Sequence, residues 1–503
     1  MTPHRTVRHP AGRMPNGTAG ALRTAARYLA IAGAILGTAC ADDAGTAPLR
    51  SAMRVADVTA TPNPLNALSV IVGFNATDVD SARILYERTD GGAASSTPFI
   101  RVSSGHVRIP VVGLIAETAY SVRVEAHGAG RPVTTDAVDA MTGALPVELR
   151  SVQLSGSGQA TAGYTLVVPI AAPTDTVAYV MAFDNTGRLA WYRAFANAGW
   201  TVEAKQQRNG HITVYLGRSY GWQQTGGQFV ELDVAGEIVR TFAARTVPYT
   251  DPHELRFTMR GDAVAEVHLL GYRMDHVDLS ALGGPSDTLI AVHVLERQGV
   301  SGQPMFVWDA GVTYSPADWP QSAAFPSDLV HPSAFAIDRD GDYVVSLQAI
   351  NEIVNVDGES GRPRWRLGGT RSDFTMLDDP LGGFRGQHGV QVLENGNLLF
   401  LDNRRGAVPS SARAVEYQLD TDEMTAKLVW EFRPSPAVAS PIMGSVQRLV
   451  NGNTVLGLAI PARVMEVDPG GGVVSDATLT MGGAPAQFYR AIRIASLYAY
   501  SAP

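Results

Sequence analysis

Gly-centred hairpin turns recur along the last two thirds of the chain, at Gly210, Gly261, Gly341, Gly396 and Gly452, with NGN or DGD as the clearest copies. Each stands between alternating apolar runs, the second of them HITVYLG, AVAEVHLL, YVVSLQ, NLLFLD or NTVLGLA. Glycine and asparagine supply the left-handed backbone that a two-stranded turn needs, and alternation at a period of two is the signature of a half-buried strand. A second element repeats between these hairpins: an apolar run, an acidic residue, a turn, and another strand that often reaches tryptophan. MAFDNTGRLAWYR, VELDVAGEIVRTF and VNVDGESGRPRWRL are examples. Two hairpins per unit make about four strands, the content of a β-propeller blade. Six copies of the second element predict six blades. Only five inner hairpins have a turn of their own, so the sixth is expected from the two ends of the region, GYTLVVPI near residue 164 and FYRAIRIASLY near residue 489. Pairing of those ends would lock the ring.

The chain is too long for one ordinary core, and its sections differ in pattern. Residues 1–40 read as an export signal: Arg5, Arg8, Arg13, Arg23 and Arg27 precede YLAIAGAILGTA, an apolar run too short to span a bilayer. The single cysteine, Cys40, follows at once. A lone cysteine in that place resembles a bacterial lipoprotein site, which makes Cys40 the candidate for lipidation and membrane anchoring. It also leaves no partner for a disulfide. Residues 41–53 are a polar linker. Residues 54–145 alternate in short runs (LSVIVGF, ARILYE, HVRIPV, YSVRVEA), and GLIAETAYSVRVEA resembles the tyrosine corner of fibronectin type III domains through Leu114, Thr118 and Tyr120. The expected fold is therefore all-β, a fibronectin type III-like β-sandwich followed over 146–503 by a six-bladed β-propeller. With a formal net charge of −8 and no basic cluster beyond the amino-terminal region, no nucleic-acid partner is expected.

In a propeller the inner strands converge on one axis, so residues that open them meet although they are far apart in sequence. His253 lies eight residues before Gly261, and His388 eight before Gly396. His331, ten before Gly341, takes the same place with a two-residue shift. One such histidine reads as structural. Three in register read as a site: neutral imidazole is a nucleophile and base near neutral pH, and its protonated form stabilises anionic charge. Three imidazoles also suit zinc, so a metal-dependent hydrolase stands as an alternative, and a non-catalytic ligand-binding propeller as another.

The segments HPSAFAID, RWRLGG with SDF, GQHGVQVLENGNLLFLDN, RAVEY and YRAIRIASLY resemble the bacterial aryl-sulfate sulfotransferases, which are six-bladed propellers. The resemblance covers roughly residues 147 to 500. It implies transfer of a sulfuryl group from an aryl sulfate to a phenol, with no nucleotide sulfate donor, no cofactor and no metal. The histidine of the family's QH motif, the nucleophile, is His388 beside Gln387. His331 opens the counterpart of the family's HxN motif and His253 matches an earlier-blade histidine. Two positions depart from the family: Gln348 stands where an arginine is expected, and Ser333 where an asparagine is. The lost positive charge calls for another arginine; Arg385, Arg404, Arg405 and Arg490 are the candidates. The expected substrate-binding set is thus Gln348, Ser333, Gln387, Arg385 and Arg490.

Trp191, Trp308, Trp365 and Trp430 end outer strands and are expected to pack blades. Trp200, Tyr220 and Trp222 are placed as a possible aryl lining, and Asp378 with Asp379 in a loop at the funnel mouth.

Overall fold

The computed structural model describes residues 53–128, 130–170, 176–217, 226–318, 328–408 and 410–498. The export segment, Cys40, nearly all of the 41–53 linker, Tyr220 and Trp222 lie outside them.

Six antiparallel sheets form the blades. Blade 2 is Thr201–Gln206, Ile212–Leu216, Gln228–Leu232 and Ile238–Phe242, and blade 3 is Tyr249–Arg260, Ala263–Val277, Thr288–Gly299 and Pro304–Asp309. Blade 4 is Pro332–Ile337, Tyr343–Leu347, Glu352–Val356 and Pro363–Gly368. Blade 5 runs from His388–Val392 through Leu398–Asp402 and Arg413–Asp420 to Thr425–Phe432, with Thr375–Leu377 added in parallel at its outer edge. Blade 6 begins at Ser445–Arg448 and continues through Thr454–Leu458 and Arg463–Val467 to Val473–Met481. Blade 1 is closed from both ends: Phe488–Ile494 is its inner strand and pairs with Tyr164–Pro169, followed by Val177–Asp184 and Leu189–Ala196. The first strand of each blade touches that of the next, and Phe488–Ile494 touches Thr201–Gln206, so the ring is complete.

The five predicted turn glycines all have positive φ, between 60° and 88°. That is the conformation glycine adopts without a steric penalty. Between blades the apolar faces interlock into shared cores. Trp191 and Trp308 are fully buried in two of them, and Trp365 and Trp430 pack at the edges of others.

Edge strands were not foreseen, Thr375–Leu377 of blade 5 among them. Gln153–Gly158 joins the outer edge of blade 6 against Val473–Met481. Its glycines serve the approach: a Cβ on Gly156 would lie 1.9 Å from the Asp476 carbonyl oxygen.

Ahead of the propeller, Arg54–Pro62, Ser69–Thr77 and Gly105–Val112 form one sheet, and Val79–Arg88 with Ala119–Gly128 the centre of a second. Val70, Val72 and Phe74 of the first share a core with Ile84, Val122 and Val124 of the second, which makes a β-sandwich. The Ile115 N–H donates to the Tyr120 hydroxyl at 3.0 Å, the bond expected of the corner tyrosine. The sandwich is tied to the propeller through Asn63 Nδ2, which donates to the Ala235 carbonyl at 2.9 Å, and through the Ala67 N–H, which donates to the Tyr192 hydroxyl at 3.0 Å.

Candidate active site

The inner strands are irregular at the same level, near their first residues. In blade 3 Thr250 pairs with Gly271 but Leu255 with Leu269, so residues 251–254 loop out of the ladder. Blade 2 shifts between Val202 and Lys205, blade 4 between Pro332 and Ala334, and blade 5 between His388 and Gln391. Glu203, His331, Gly389 and Gly444 have φ of 53°, 51°, 69° and 94°. Bulges and left-handed residues re-aim side chains and gather where a fold places its chemistry.

His253 and His331 meet, their ring centroids 4.7 Å apart and nearly perpendicular. Each is held by an aspartate just ahead of it in sequence. Asp251 accepts both the His253 N–H and, through the same oxygen, Nδ1 at 2.8 Å. Asp328 accepts the His331 N–H at 2.9 Å and Nδ1 at 2.8 Å. An aspartate that caps its own turn in this way fixes the backbone and the ring together. Ionised carboxylates accept only, so both rings carry hydrogen on Nδ1 and the lone pair on Nε2.

His388 opens blade 5 and is buried. Its Nδ1 lies 2.8 Å from Asn403 Oδ1 and 3.0 Å from the Gly386 carbonyl. Asn403 cannot turn its amide over, because Nδ2 donates to the Ser440 and Met443 carbonyls at 2.5 and 2.9 Å. Nδ1 is therefore the donor and Nε2 the lone-pair nitrogen, touched by the Met443 N–H at 3.3 Å. Burial, followed by the nearby His331, His253 and Arg490 charges, drives its pKa down to about 3 against the pull of Asn403. His388 is thus a neutral imidazole of fixed orientation at physiological pH. Burial also lowers His253, although Asp251 opposes it.

Arg490 follows Tyr489 on the inner strand of blade 1, with Tyr489 5.9 Å from His253 between ring centroids. Its guanidinium pairs with Glu203 and Glu254 at 2.8 Å each and donates to the Ser333 carbonyl at 2.8 Å. Among the described residues its Nε has no hydrogen-bond partner. Lys205 joins Glu203 and Glu254, and Arg256 lies 3.3 Å from Glu254. Three cations thus face two carboxylates around the axis. Burial takes Lys205 well below its ordinary range and Arg256 to about 10. A cavity of about 190 Å³ opens among Lys205, Glu254, Arg256, Gln391, Gln447 and Arg490, with Glu254 and Arg256 just beyond His253 in sequence and Gln391 just beyond His388.

The other expected residues fall in varied places. Ser333 spends its hydroxyl on the Gln387 carbonyl at 2.8 Å and on Ser346 at 3.0 Å, stitching blade 4 to blade 5. Gln387 donates back to the Glu352 carbonyl at 2.9 Å. Gln348 is buried, and its N–H donates to the His331 carbonyl at 2.9 Å. Arg385 and Arg405 are exposed, and Arg404 donates to the Gly383 carbonyl. Of the arginine candidates Arg490 is the one beside the histidines. Trp200 packs on the apolar cluster that includes Tyr489. In the Asp378–Asp379 loop the Asp379 carboxylate is buried against Arg413, two bonds of 2.9 Å, and Asp378 pairs with Lys427 at the surface. Among the described residues no group of three or more His, Cys, Asp or Glu is arranged to hold a metal ion.

Fold and site together define a six-bladed propeller with a polar axial centre built on histidines from three blades. Residues 248–479 match the arylsulfotransferase (ASST) family, to which this part of the chain is similar. At the level of the family, its chemistry is sulfuryl transfer. Among solved structures the chain is similar to a protein of unknown function from Bacteroides caccae, with 11% identity over 66% of this chain and 98% of that one and a TM-score of 0.41. A streptogramin B lyase follows at 9% identity, 66% and 89% coverage and a TM-score of 0.36. No curated protein matches the chain.

Proposed function

We propose that the protein moves a sulfuryl group from an aryl sulfate to a phenolic acceptor through a sulfo-histidine on His388, without a nucleotide donor. The observation that carries this reading is the fixed tautomer of His388: Nδ1–H tied to Asn403, Nε2 holding the lone pair, and a ring kept neutral by burial.

In the first half-reaction Nε2 forms a bond to sulfur as the bond from sulfur to the aryl oxygen breaks. The departing phenolate takes the Nε2 proton of His253 in its imidazolium form, reached when the resting Nε2 lone pair picks up a proton, and His331 protonated in the same way donates to the sulfuryl oxygens. In the second, the acceptor phenol gives its proton to His253 as its oxygen bonds to sulfur and the N–S bond breaks. His388 returns to its neutral form. Splitting one transfer into two gives ping-pong kinetics. A loose transition state of the phosphoryl kind gains most from positioning and nearby cations, the part Arg490 would take in place of the charge missing at Gln348.

The test is a chromogenic aryl sulfate with and without a phenol, on the wild type and His388→Asn. Acceptor-dependent phenolate release lost in the variant is the expected result. Transfer that survives the substitution sinks the proposal.

A further inference from the structure

His293 belongs to no motif in the sequence. It lies on the third strand of blade 3, and its side chain is wholly inaccessible. Yet both its ring nitrogens face carboxylates, and those carboxylates are the two that hold site histidines. Nε2 is 3.0 Å from Asp251 Oδ2, and Nδ1 is 3.2 Å from Asp328 Oδ1. The Nδ1 contact is off the ideal hydrogen-bond direction, so it is an ion pair more than an aligned bond. Asp251 gives its other oxygen to His253 at 2.8 Å, and Asp328 its other oxygen to His331 at 2.8 Å. An unbroken chain results: His253, Asp251, His293, Asp328, His331. It crosses from blade 3 to blade 4 at a point where the backbone does so too, since Asp328 bridges Ala291 and the Leu329 N–H donates to the Ala291 carbonyl at 2.9 Å.

Two carboxylates buried this close repel each other, and neither is worth its desolvation unless a cation lies between them. A neutral imidazole has one N–H and one lone pair, so it would satisfy one carboxylate and oppose the other. An imidazolium satisfies both. Burial by itself would push the His293 imidazolium down, but Asp328 and Asp251 outweigh it and its pKa is pushed up to about 10. The same partners, His253 and His293 for Asp251, and His293 and His331 for Asp328, overcome burial and hold both carboxyls well below the usual range. Tyr272 covers one side of the ring at 5.5 Å between centroids.

We propose that His293 is a buried imidazolium that positions both His253 and His331, clamping Asp251 and Asp328 so that each site imidazole is fixed as an Nδ1–H donor with its Nε2 lone pair available for proton exchange with the phenols. This rests on the reading that those two histidines act in sulfuryl transfer. His293 itself touches no substrate. Its loss frees one aspartate to rotate, and the ring that aspartate holds turns with it.

The test has two arms on the full chain. In the first, His293→Gln, which reaches one carboxylate and carries no charge, is assayed for transfer. The expected result is a kcat lowered by about 10- to 100-fold, the usual effect of removing a residue that orients a catalytic ring, with the donor KM within about two-fold. In the second, the ring nitrogens of the wild-type histidines are read by nitrogen-15 NMR at about pH 8.5, where an ordinary histidine is neutral. One doubly protonated imidazole and at least two Nδ1–H tautomers are expected. A folded His293→Gln protein with wild-type kcat overturns the proposal, and so does a spectrum with no imidazolium, whether or not the variant folds. A wild type that turns over no aryl sulfate would defeat the transfer reading alone, and the spectrum would still decide the bridge.

Discussion

Keeping His388 neutral has a thermodynamic consequence that can be measured apart from activity. In the unfolded chain its pKa is the ordinary 6.5; in the fold it is about 3. Between those values the unfolded chain binds a proton that the folded protein refuses, so the stability rises with pH and is lost as pH falls. Each pH unit of that interval is worth about 1.4 kcal/mol per group, so full acidification would cost about 5 kcal/mol on account of this ring alone. His268, lowered to about 3 by burial and then by Arg297 and Arg256, adds a limb of the same sign. The perturbation is therefore His388→Asn, which removes one titrating ring and leaves His268 in place. Urea unfolding followed at pH 7 and pH 5 should show the wild type losing about 2 kcal/mol more than the variant across that step, from 1.5 pH units below 6.5 at about 1.4 kcal/mol each. The opposite limb belongs to His293: its folded pKa is raised to about 10, so its contribution is complete below 6.5 and is lost as pH rises to 10. Equal acid slopes for wild type and His388→Asn would refute the claim that His388 is held neutral by burial, and with it the account of its proposed reactivity.

Two further outcomes follow from the site's contacts. Asn403→Ala removes the acceptor that fixes His388 while leaving the Gly386 carbonyl at 3.0 Å, so the ring loses its aim but keeps a partner for Nδ1–H. The first phenolate burst should slow by about 10- to 100-fold with the donor KM little changed, measured by stopped flow, and a burst at the wild-type rate would show that Asn403 does not orient the ring. Arg490→Met turns three cations against two carboxylates into an even pairing, and should raise the donor KM roughly ten-fold, the equivalent of one charged hydrogen bond, and flatten the salt dependence of kcat/KM. An unchanged salt dependence would separate Arg490 from donor binding.

The blades were legible because their turns are chemically narrow. A two-stranded turn with positive φ selects glycine, and the runs beside Gly341, Gly396 and Gly452 alternate so cleanly that strand number and order follow from them. Closure by both chain ends could be read for the same reason: one hairpin was missing and two unpaired runs remained. The added outer strand at Gln153–Gly158 could not, since QLSGSG has neither alternation nor a turn, and its glycines make sense only once Asp476 is known to lie against them. Local pattern reports on local geometry, and this strand is defined by a neighbour more than 300 residues away.

The site divides along the same line. Counting back from each turn glycine brought His253, His331 and His388 to one level, although each reaches the axis by a different backbone route. His253 rides on a loop out of the ladder, His331 adopts φ of 51° before its strand begins, and His388 opens its strand ahead of a left-handed Gly389. The two-residue excess in the His331 spacing goes with that difference in route. A left-handed residue other than glycine costs about 1–2 kcal/mol, and what holds it there is Asp328, which takes the His331 N–H and ring in one grip. Asp251 grips His253 in the same manner, and the short spacings of Asp251 to His253 and Asp328 to His331 were available in the sequence as capping signals. His293 was not, because AVHVLE reads as an ordinary buried strand until the two aspartates are seen on either side of it. The inner strands supply position, and the buried carboxylates convert position into a fixed tautomer. A sequence shows the first through its periods, while the second exists only where three distant segments close around one ring.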